Sequence, residues 1–415
     1  MALKIHWAIF TNNDSQKDKC IEDILNGKLP DVLKGLEGLQ GALFAKTTLQ
    51  EFIDEEEKHD IKIITRDTQQ RLSTMSSGEQ KKALLNYLIK TGADFLILDN
   101  PFDNLDKASQ KDIRILLEQL AETTLTIQFL SRRTDLLPFC RQWLYLEKSH
   151  LRPLSDLPSA HTNKEKEHKN NFSGTIPLPY RSTVHEGTNL IECKGISVFY
   201  GDRPILDHIQ WTIKKGEFWQ LIGPNGSGKS TLLSMITGDN HKGYGQDLYL
   251  FGHRKGSGES VWDIKKKIGY YSPSMTANFS GLHSAFNMVI SGLNDSVGLY
   301  LMATENQKAL AKKWLILLDL WPLRDTNFAD LTTGQQRMIM VARAMVKYPP
   351  LLILDEPTAG LDDDNAALFT ALVNKIAAES DTAIVFVSHR TEPGLRPKYI
   401  YTLTKSPHGS LGNVV

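Results

Sequence analysis

The sequence has few cysteines, no long apolar run and no excess of charge of either sign. Its 415 residues include only Cys20, Cys140 and Cys193, whose wide spacing argues against a disulfide scaffold or a cysteine metal site. No apolar segment approaches the roughly 20 residues that cross a bilayer, and the first residues lack the apolar core of a secretory leader. The 48 basic and 48 acidic side chains cancel, which removes the general electrostatic argument for a nucleic-acid partner. We expect a cytoplasmic protein of two or three domains.

Residues 223–230 carry the most chemical information. Their sequence, Gly-Pro-Asn-Gly-Ser-Gly-Lys-Ser, fits the phosphate-binding loop pattern G-x-x-x-x-G-K-[ST] at every fixed position. The apolar run 218–222 before them predicts a buried strand, and residues 230–236 predict the start of a helix. Backbone N–H groups of a loop in this position close around phosphate, which favours a nucleotide site over a glycine-rich turn without a ligand.

The residues of this phosphate-binding loop (P-loop) have distinct expected roles. Lys229 reaches the β- and γ-phosphates, and Ser230 ligates Mg²⁺. Three glycines allow backbone conformations that a Cβ atom would obstruct. The predicted ATP-binding residues of the loop are Gly223, Pro224, Asn225, Gly226, Ser227, Gly228, Lys229, Ser230 and Thr231.

The two halves of the sequence repeat the same blocks in the same order. Gly78 precedes Asp99 by 21 residues, and Gly334 precedes Asp355 by 21 residues. Shared spacing across several blocks predicts two copies of one fold. The matching blocks are 75–80 with 331–336, 95–101 with 351–357, 104–106 with 360–362, and 129–134 with 386–391.

These blocks resemble the ATP-binding cassette (ABC) ATPases. Residues 331–336 (LTTGQQ) are similar to the Leu-Ser-Gly-Gly-Gln-like signature that separates this family from other P-loop proteins. The resemblance implies an α/β fold of two cassettes, each a mainly parallel sheet flanked by helices with a helical arm that bears the signature. It also implies ATP and Mg²⁺ as ligands, and a head-to-tail pairing in which each ATP lies between the P-loop of one cassette and the signature of the other.

The resemblance assigns further roles in the second half. Asp355 at the end of an apolar run holds Mg²⁺ together with Ser230, Glu356 is the general base, and His389 contacts the γ-phosphate. Tyr200 lies where the family stacks an aromatic ring on adenine, although a core tyrosine at the end of a strand is the alternative.

One element departs from the family pattern. The family usually has Gln after the strand represented by residues 268–271, and Ser272-Pro-Ser274 follows here instead. A hydroxyl of Ser272 or Ser274 is the candidate substitute.

The first half is shortened and degenerate. Residues 11–18 (TNNDSQKD) stand where 223–230 stand, without a glycine, and Asp14 and Asp18 place negative charge beside the expected phosphates. A non-glycine residue in a left-handed conformation costs about 1–2 kcal/mol. The alternative is that this half is an unrelated helical cap, which the spacing matches disfavour.

The catalytic positions of the first half are also changed. Asn100 replaces the base and cannot accept a proton, and Arg132 replaces the histidine. Its signature is better kept, as Ser76, Gly78 and Glu79 remain with Ser77 beside them.

Head-to-tail pairing puts these four signature residues against the intact loop and Thr332–Gln335 against the degenerate one. We therefore predict one hydrolytic composite site, completed by Ser76, Ser77, Gly78 and Glu79, and one silent site. The predicted domains are 1–155, a flexible polar linker at 156–187, and 188–415.

Three functions are compatible with these features. Residues 289–300 and 334–337 look like those of tandem-cassette ABC proteins assigned to molybdenum transport, which favours the ATPase component of a transporter with separate membrane permease subunits. Such a protein attaches peripherally to the inner face of the cell membrane. A ribosome-associated factor typically keeps both P-loops and has a long charged helical linker. A DNA-associated ATPase should show a coiled-coil insertion or zinc cysteines.

Overall fold

The computed structural model describes residues 5–66, 70–157, 172–179, 187–277, 279, 283–296, 302–389 and 392–415. The chain divides into two compact units, the first formed by Met1–Lys164 with Gly360–Asp364 and the second by Glu165–Ala359 with Asn365–Val415. The predicted positions 158–171 and 180–186 of the linker, and 297–300 of the block 289–300, lie outside the described residues. Among the described helices, none combines the length and apolarity needed to cross a bilayer.

The first unit is built on a six-stranded sheet with strand order β2-β3-β4-β1-β5-β6. All neighbouring strands are parallel except β5 and β6, which pair antiparallel. The strands are β1 (Trp7–Thr11), β2 (Gly41–Phe44), β3 (Phe95–Asp99), β4 (Leu125–Leu130), β5 (Gln142–Glu147) and β6 (His150–Pro153).

Helices cover both faces of this sheet, because successive side chains of its strands point to opposite sides. Along β3, Leu96 and Leu98 belong to one buried cluster, whereas Phe95 and Ile97 belong to another. A strand buried on both faces is the pattern expected of a parallel sheet. Among the described residues of the unit, the α-helices are α1 (Lys17–Leu25), α2 (Lys46–His59), α3 (Ser77–Lys90) and α4 (Lys107–Ala121).

The second unit contains a six-stranded and a four-stranded sheet. The six-stranded sheet has the order β12-β13-β14-β9-β15-β16, with only β16 antiparallel to its neighbour, and the four-stranded antiparallel sheet has the order β11-β10-β7-β8. The strands are β7 (Asn189–Tyr200), β8 (Arg203–Lys214), β9 (Phe218–Ile222), β10 (Leu248–Leu250), β11 (His253–Arg254), β12 (Ile268–Tyr271), β13 (Leu351–Asp355), β14 (Ala383–Ser388), β15 (Tyr399–Thr404) and β16 (Leu411–Val414).

Seven α-helices accompany these strands among the described residues. Helices α7, α8 and α9 lie between β12 and α10, and α10 bears the signature residues 333–335. The helices are α5 (Lys229–Ile236), α6 (Val261–Lys266), α7 (Pro273–Ala277), α8 (Ala285–Ser291), α9 (Glu305–Leu317), α10 (Thr333–Met345) and α11 (Asp363–Glu379).

Aromatic rings join the two sheets of the second unit. Trp211 of β8 stacks on Tyr401 of β15 with 4.6 Å between ring centroids, and both are buried. This contact belongs to a buried cluster that includes residues of the P-loop helix α5. The P-loop therefore emerges from the buried core of the unit.

The predicted repeat is confirmed by the topology. The two six-stranded sheets have the same order of parallel strands and the same antiparallel edge strand. Local conformation repeats as well, since Asn100 and Glu356 both adopt left-handed backbones, with φ of 41° and 50°. The signature helices α3 and α10 begin alike, each with a capping box at Ser76 or Thr332.

Part of the predicted linker is packed rather than solvated. Ile176 is buried, and its N–H donates to a carboxylate oxygen of Glu379 on α11 at 3.0 Å. The polar composition of 156–187 does not predict this buried residue, because one isoleucine in a polar stretch gives no periodic hydrophobic pattern.

Candidate functional site

The P-loop connects β9 to α5, as the sequence predicts. Gly226 and Gly228 have φ values of 71° and 88°, in the left-handed region where a glycine is strongly favoured. A Cβ atom at Gly228 would lie 2.6 Å from Leu206 Cδ2, so both backbone conformation and space require glycine there. The loop therefore has the shape that its glycine pattern predicts.

Two polar groups of the loop suit a phosphate ligand. Lys229 Nζ donates to the carbonyl oxygens of Gly223 at 2.7 Å and Pro224 at 3.2 Å, which folds the ammonium back over the loop. Ser227 Oγ is buried and has no hydrogen-bond partner within the described part of the chain. A buried polar atom left unpaired is costly, and a phosphate oxygen would satisfy it.

The predicted base and the predicted histidine are in contact. Strand β13 pairs with β14, and β14 pairs with β9, so the carboxyl ends of all three meet at one edge of the sheet. Glu356 follows β13 and His389 follows β14, and Nδ1 of His389 lies 2.6 Å from Glu356 Oε2. His389 Nε2 is buried and hydrogen-bonds to no other described residue. Nδ1 of His389 thus orients the Glu356 carboxylate, and Nε2 is available to bond to a ligand.

Asp355 lies at the end of β13 in an environment that suits a cation. Burial, and next the charge of Glu356, raise the pKa of Asp355 above its ordinary value. A cation would relieve both effects. No cluster of three or more His, Cys, Asp or Glu side chains able to hold a metal occurs in the described ranges. Mg²⁺ commonly takes one or two protein oxygens and completes its shell with water and phosphates, and the Asp355 carboxylate and the Ser230 hydroxyl are ligands of that kind.

Tyr270 contacts the same carboxylate, which sequence reasoning missed. Its hydroxyl donates to Asp355 Oδ2 at 3.3 Å, and burial followed by the charge of Asp355 raises the pKa of the phenol. The candidate substitutes for the absent Gln lie just beyond, with Ser272 Oγ and Ser274 Oγ 2.9 Å apart at the start of α7. Tyr270 therefore bonds to Asp355 from β12, the strand that ends just before the position where the family usually has Gln.

Tyr200 lies at the end of β7 with an exposed ring. Its relative exposure of 44% does not fit the alternative of a core tyrosine. Asn240 Nδ2 donates to its hydroxyl at 2.9 Å and to Ser234 Oγ on α5 at 3.1 Å, which ties the ring to the P-loop helix. Lys242 Nζ lies 5.6 Å from the ring centroid. Stacking of adenine on Tyr200 stays a prediction.

The corresponding site of the first unit is internally satisfied. Lys17 Nζ, the counterpart of Lys229, donates to both carboxylate oxygens of Asp99 at 2.8 and 2.9 Å. The side chain of Asn100 accepts from the N–H and Oγ of Ser131 at 3.1 and 3.0 Å. The Lys17 ammonium is thus paired with a carboxylate of the same unit, and the Asn100 side chain at the position of the base is hydrogen-bonded to Ser131.

The first unit's signature residues lie at the start of α3. Ser76 is the N-cap, and its hydroxyl accepts from the Glu79 N–H while the Glu79 carboxylate accepts from the Ser76 N–H. Ser76 and Glu79 are exposed, and a Cβ atom at Gly78 would lie 2.6 Å from Ser109 Oγ on α4. Ser77 Oγ donates to the carbonyl oxygen of Asn104 at 3.2 Å. Their meeting with the loop 223–230 stays a prediction.

Comparison with known proteins identifies the family. The family model described as ABC transporter matches residues 206–359. The ABC transporter ATP-binding protein ModF of Escherichia coli (strain K12) is 38% identical over 340 residues, which cover 78% of this chain and 68% of ModF. An uncharacterized ABC transporter ATP-binding protein of Schizosaccharomyces pombe is 29% identical over 339 residues, covering 77% of this chain and 65% of that protein.

A solved structure of ribosome-bound archaeal Pelota and ABCE1 shares the fold over almost the whole chain. It covers 99% of this chain and 74% of that one with a TM-score of 0.63, but at 16% identity it speaks for the fold alone. The resemblance predicted from the sequence is confirmed by the relative that matches both halves. The chain belongs to the ABC transporter ATP-binding proteins, and ATP is its ligand.

Proposed function

We propose that this chain hydrolyses ATP at one composite site and is silent at the other. The hydrolytic site consists of the loop 223–230, Asp355, Glu356 and His389, and it is completed by the signature residues 76–79. The observation that carries the proposal is the contrast between the two copies of the fold. Glu356 is a carboxylate oriented by a histidine, whereas its counterpart Asn100 is an amide whose oxygen already accepts two hydrogen bonds.

The geometry supports a direct hydrolytic mechanism. Glu356 takes a proton from water as the water oxygen attacks the γ-phosphorus, and the bond to the ADP oxygen breaks. His389 holds the carboxylate through Nδ1, so its orientation is set before ATP arrives, and Nε2 contacts the γ-phosphate. Lys229 exchanges the carbonyls of residues 223 and 224 for the β- and γ-phosphates.

Different residues bind the metal ion and the adenine base. Ser230 and Asp355 hold Mg²⁺, which when bound neutralises charge on the phosphates. Tyr200 stacks on adenine.

The matched signature helices allow a sharp test of the composite site. Ser76→Ala and Thr332→Ala each remove the N-cap hydroxyl of a capping box, at a similar cost of about 1 kcal/mol to helix α3 or α10. We expect Ser76→Ala to lower kcat while Thr332→Ala leaves it near the wild-type value, because only Ser76 completes the intact loop. Ser76→Thr, which keeps the hydroxyl, should restore activity. Equal kcat values for the two alanine variants would contradict the composite site.

Nucleotide stoichiometry tests the silent site separately. Equilibrium binding of radiolabelled ATP to the Glu356→Gln variant should give one tightly bound, unhydrolysed ATP per chain. Two tightly bound ATP molecules that wild-type protein hydrolyses would refute the assignment of one silent site.

We propose transport as the physiological role, with separate membrane permease subunits as partners. The support is the name of the relative that matches 78% of the chain, an ABC transporter ATP-binding protein. A ribosome-associated factor is the second candidate, because the solved structure that matches 99% of the chain contains a ribosome-bound protein. Affinity purification from membranes and from ribosomes, with identification of the co-purifying chains, distinguishes the two roles.

A further inference from the structure

A turn within the second unit begins at the proposed general base. The N–H of Ala359 donates to the carbonyl oxygen of Glu356 at 3.2 Å, and Glu356 has a left-handed backbone with a φ of 50°. A residue other than glycine keeps such a conformation only where its surroundings impose it. Contacts made by this turn therefore influence where the Glu356 carboxylate lies.

Arg337 of α10 holds the far end of the turn. Its Nη2 donates to the carbonyl oxygen of Ala359 at 2.9 Å, and its Nη1 donates to the hydroxyl oxygen of Tyr271 at 2.6 Å. Arg337 is exposed by only 8%, and Tyr271 is fully buried. A buried guanidinium needs such partners, because a charged donor left unpaired inside a protein is costly. One side chain thus joins the turn after Glu356 to the end of β12.

Tyr271 follows the residue that contacts the expected metal ligand. Tyr270 and Tyr271 are consecutive in β12, so their side chains point to opposite faces of the sheet. On one face Tyr270 donates to Asp355, and on the other Tyr271 accepts from Arg337. The end of β12 is therefore bonded to the carboxylate expected to hold Mg²⁺ and, through Arg337, to the turn that begins at Glu356.

The first unit repeats the contact between the signature helix and the turn. Lys81 matches Arg337, because each lies three residues after the glycine of its signature. Lys81 Nζ donates to the carbonyl oxygens of Pro101 at 2.9 Å and Asp103 at 2.8 Å. Asp103 is the counterpart of Ala359. A cation on this helix thus holds the turn in both copies of the fold.

The two tyrosines distinguish the copies. By the register of the parallel strands, Phe44 of β2 matches Tyr271, and Leu43 matches Tyr270. Neither of these apolar side chains can form a hydrogen bond. The two hydroxyl contacts therefore belong to the unit with the intact P-loop.

We propose that Arg337 and Tyr271 are a positioning pair for ATP hydrolysis. By joining the turn 356–359 to β12, they hold Glu356 at a fixed position relative to Asp355. The inference rests on the proposed role of Glu356 as the general base. Loss of the pair should lower kcat and leave the KM for ATP unchanged, because the P-loop itself is not altered.

The first unit supplies the substitutions for the test. Tyr271→Phe and Arg337→Lys each introduce the residue found at the matching position of the first unit. A lysine can hold the turn through carbonyl oxygens, as Lys81 does, but it lacks the planar fork that binds Tyr271 and Ala359 together. A misplacement of about 1 Å can cost about 100-fold in rate, and the turn keeps its own Ala359–Glu356 bond, so we expect each variant to lower kcat about tenfold.

A double-mutant cycle shows whether the two residues act together. Both single variants remove the same bond, so Arg337→Lys/Tyr271→Phe should be no slower than the slower single variant. Losses that multiply to about 100-fold, or a wild-type kcat in Tyr271→Phe, would overturn the positioning pair. So would a KM for ATP that rises in proportion to the fall in kcat, because the pair would then shape the nucleotide pocket. If Tyr271→Phe does not fold, the split between kcat and KM in Arg337→Lys decides.

Tyr401→Phe on β15 is the matched control. It removes a hydroxyl from an equally buried tyrosine of the same sheet, where the hydroxyl donates to the carbonyl oxygen of Gln210 at 2.9 Å. This variant should keep the wild-type kcat. A tenfold loss there as well would overturn the pair, because loss of any buried hydroxyl from the sheet would then have the same effect.

The Glu356→Gln background separates the pair from the proposed base. In that background Tyr271→Phe should not lower the residual rate further, since the group that the pair positions is already absent. A further tenfold loss would overturn the inference. Hydrolysis by Glu356→Gln at the wild-type rate would contradict the proposed base itself. A slow Glu356→Gln with a fully active Tyr271→Phe would refute the positioning pair alone.

Discussion

Replacement of Tyr270 by Phe should weaken Mg²⁺-dependent ATP binding without changing metal-free binding. The substitution removes one oxygen from a half-buried ring and leaves its packing in place. That oxygen donates to Asp355 Oδ2 at 3.3 Å, where burial and Glu356 already oppose ionisation of the carboxyl. The phenol orients the carboxylate that we expect to hold the metal.

The size of the effect follows from the geometry. Loss of a hydrogen bond to a metal-ligating group typically lowers metal affinity 10–100-fold. The bond here is longer than the 2.7–2.8 Å typical of hydroxyl donors, which places the effect near the lower end. We expect about a tenfold increase in the Mg²⁺ concentration for half-maximal ATP binding, equivalent to about 1.4 kcal/mol.

Calorimetric or fluorescence titration of ATP at fixed pH provides the assay, with Mg²⁺ varied and with EDTA as the metal-free reference. Tyr249→Phe on β10 of the antiparallel sheet is the matched control and should behave as wild type. Superimposable Mg²⁺ titrations of wild type and Tyr270→Phe would refute the reasoning. A loss of affinity in EDTA as well would show that the ring acts on the nucleotide and not on the metal.

Three further substitutions test the site. Glu356→Gln should lower kcat about 10²–10⁴-fold, because the amide cannot accept a proton, and it should preserve ATP binding. Hydrolysis by this variant at the wild-type rate would show that Glu356 is not the general base. Asn100→Gln should leave kcat unchanged in a steady-state ATPase assay, because that position is already an amide. Gly228→Ala should abolish ATP binding in the titration above and lower the urea concentration at the midpoint of unfolding. The added Cβ atom would overlap Leu206, and the φ of 88° is unfavourable for alanine. Retained ATP affinity would contradict the need for glycine at this position.

Local patterns made much of the second unit predictable. The strand 218–222, the glycine loop and the helix after it are contiguous in sequence, and each follows from its own residues. The strand predicted at 218–222 is observed with the same bounds. The apolar run before Asp355 predicts a buried parallel strand because side chains on both faces must be apolar.

Contacts between distant residues were beyond the reach of those patterns. Tyr270 and Asp355 are 85 residues apart, and they meet because β12 and β13 pair in parallel. The sequence showed that the loop 11–18 had lost its glycines, but the pairing of Lys17 with Asp99 depends on the order of strands in the folded sheet. The contact of Asn240 with Tyr200 likewise depends on where α5 lies in the fold, because Asn240 follows that helix in the chain.

The ion pair between Lys17 and Asp99 sets a condition on any attempt to rebuild the first site. Both copies of the fold have a lysine in the loop and an aspartate at the end of the strand two places away in the sheet. In the second copy the lysine donates to the neutral carbonyl oxygens of Gly223 and Pro224. In the first copy a nucleotide would have to displace a carboxylate from both sides of the ammonium. Restoring glycines at 11, 14 and 16 would reopen the loop, but the lysine would still prefer its internal partner until Asp99 is neutralised.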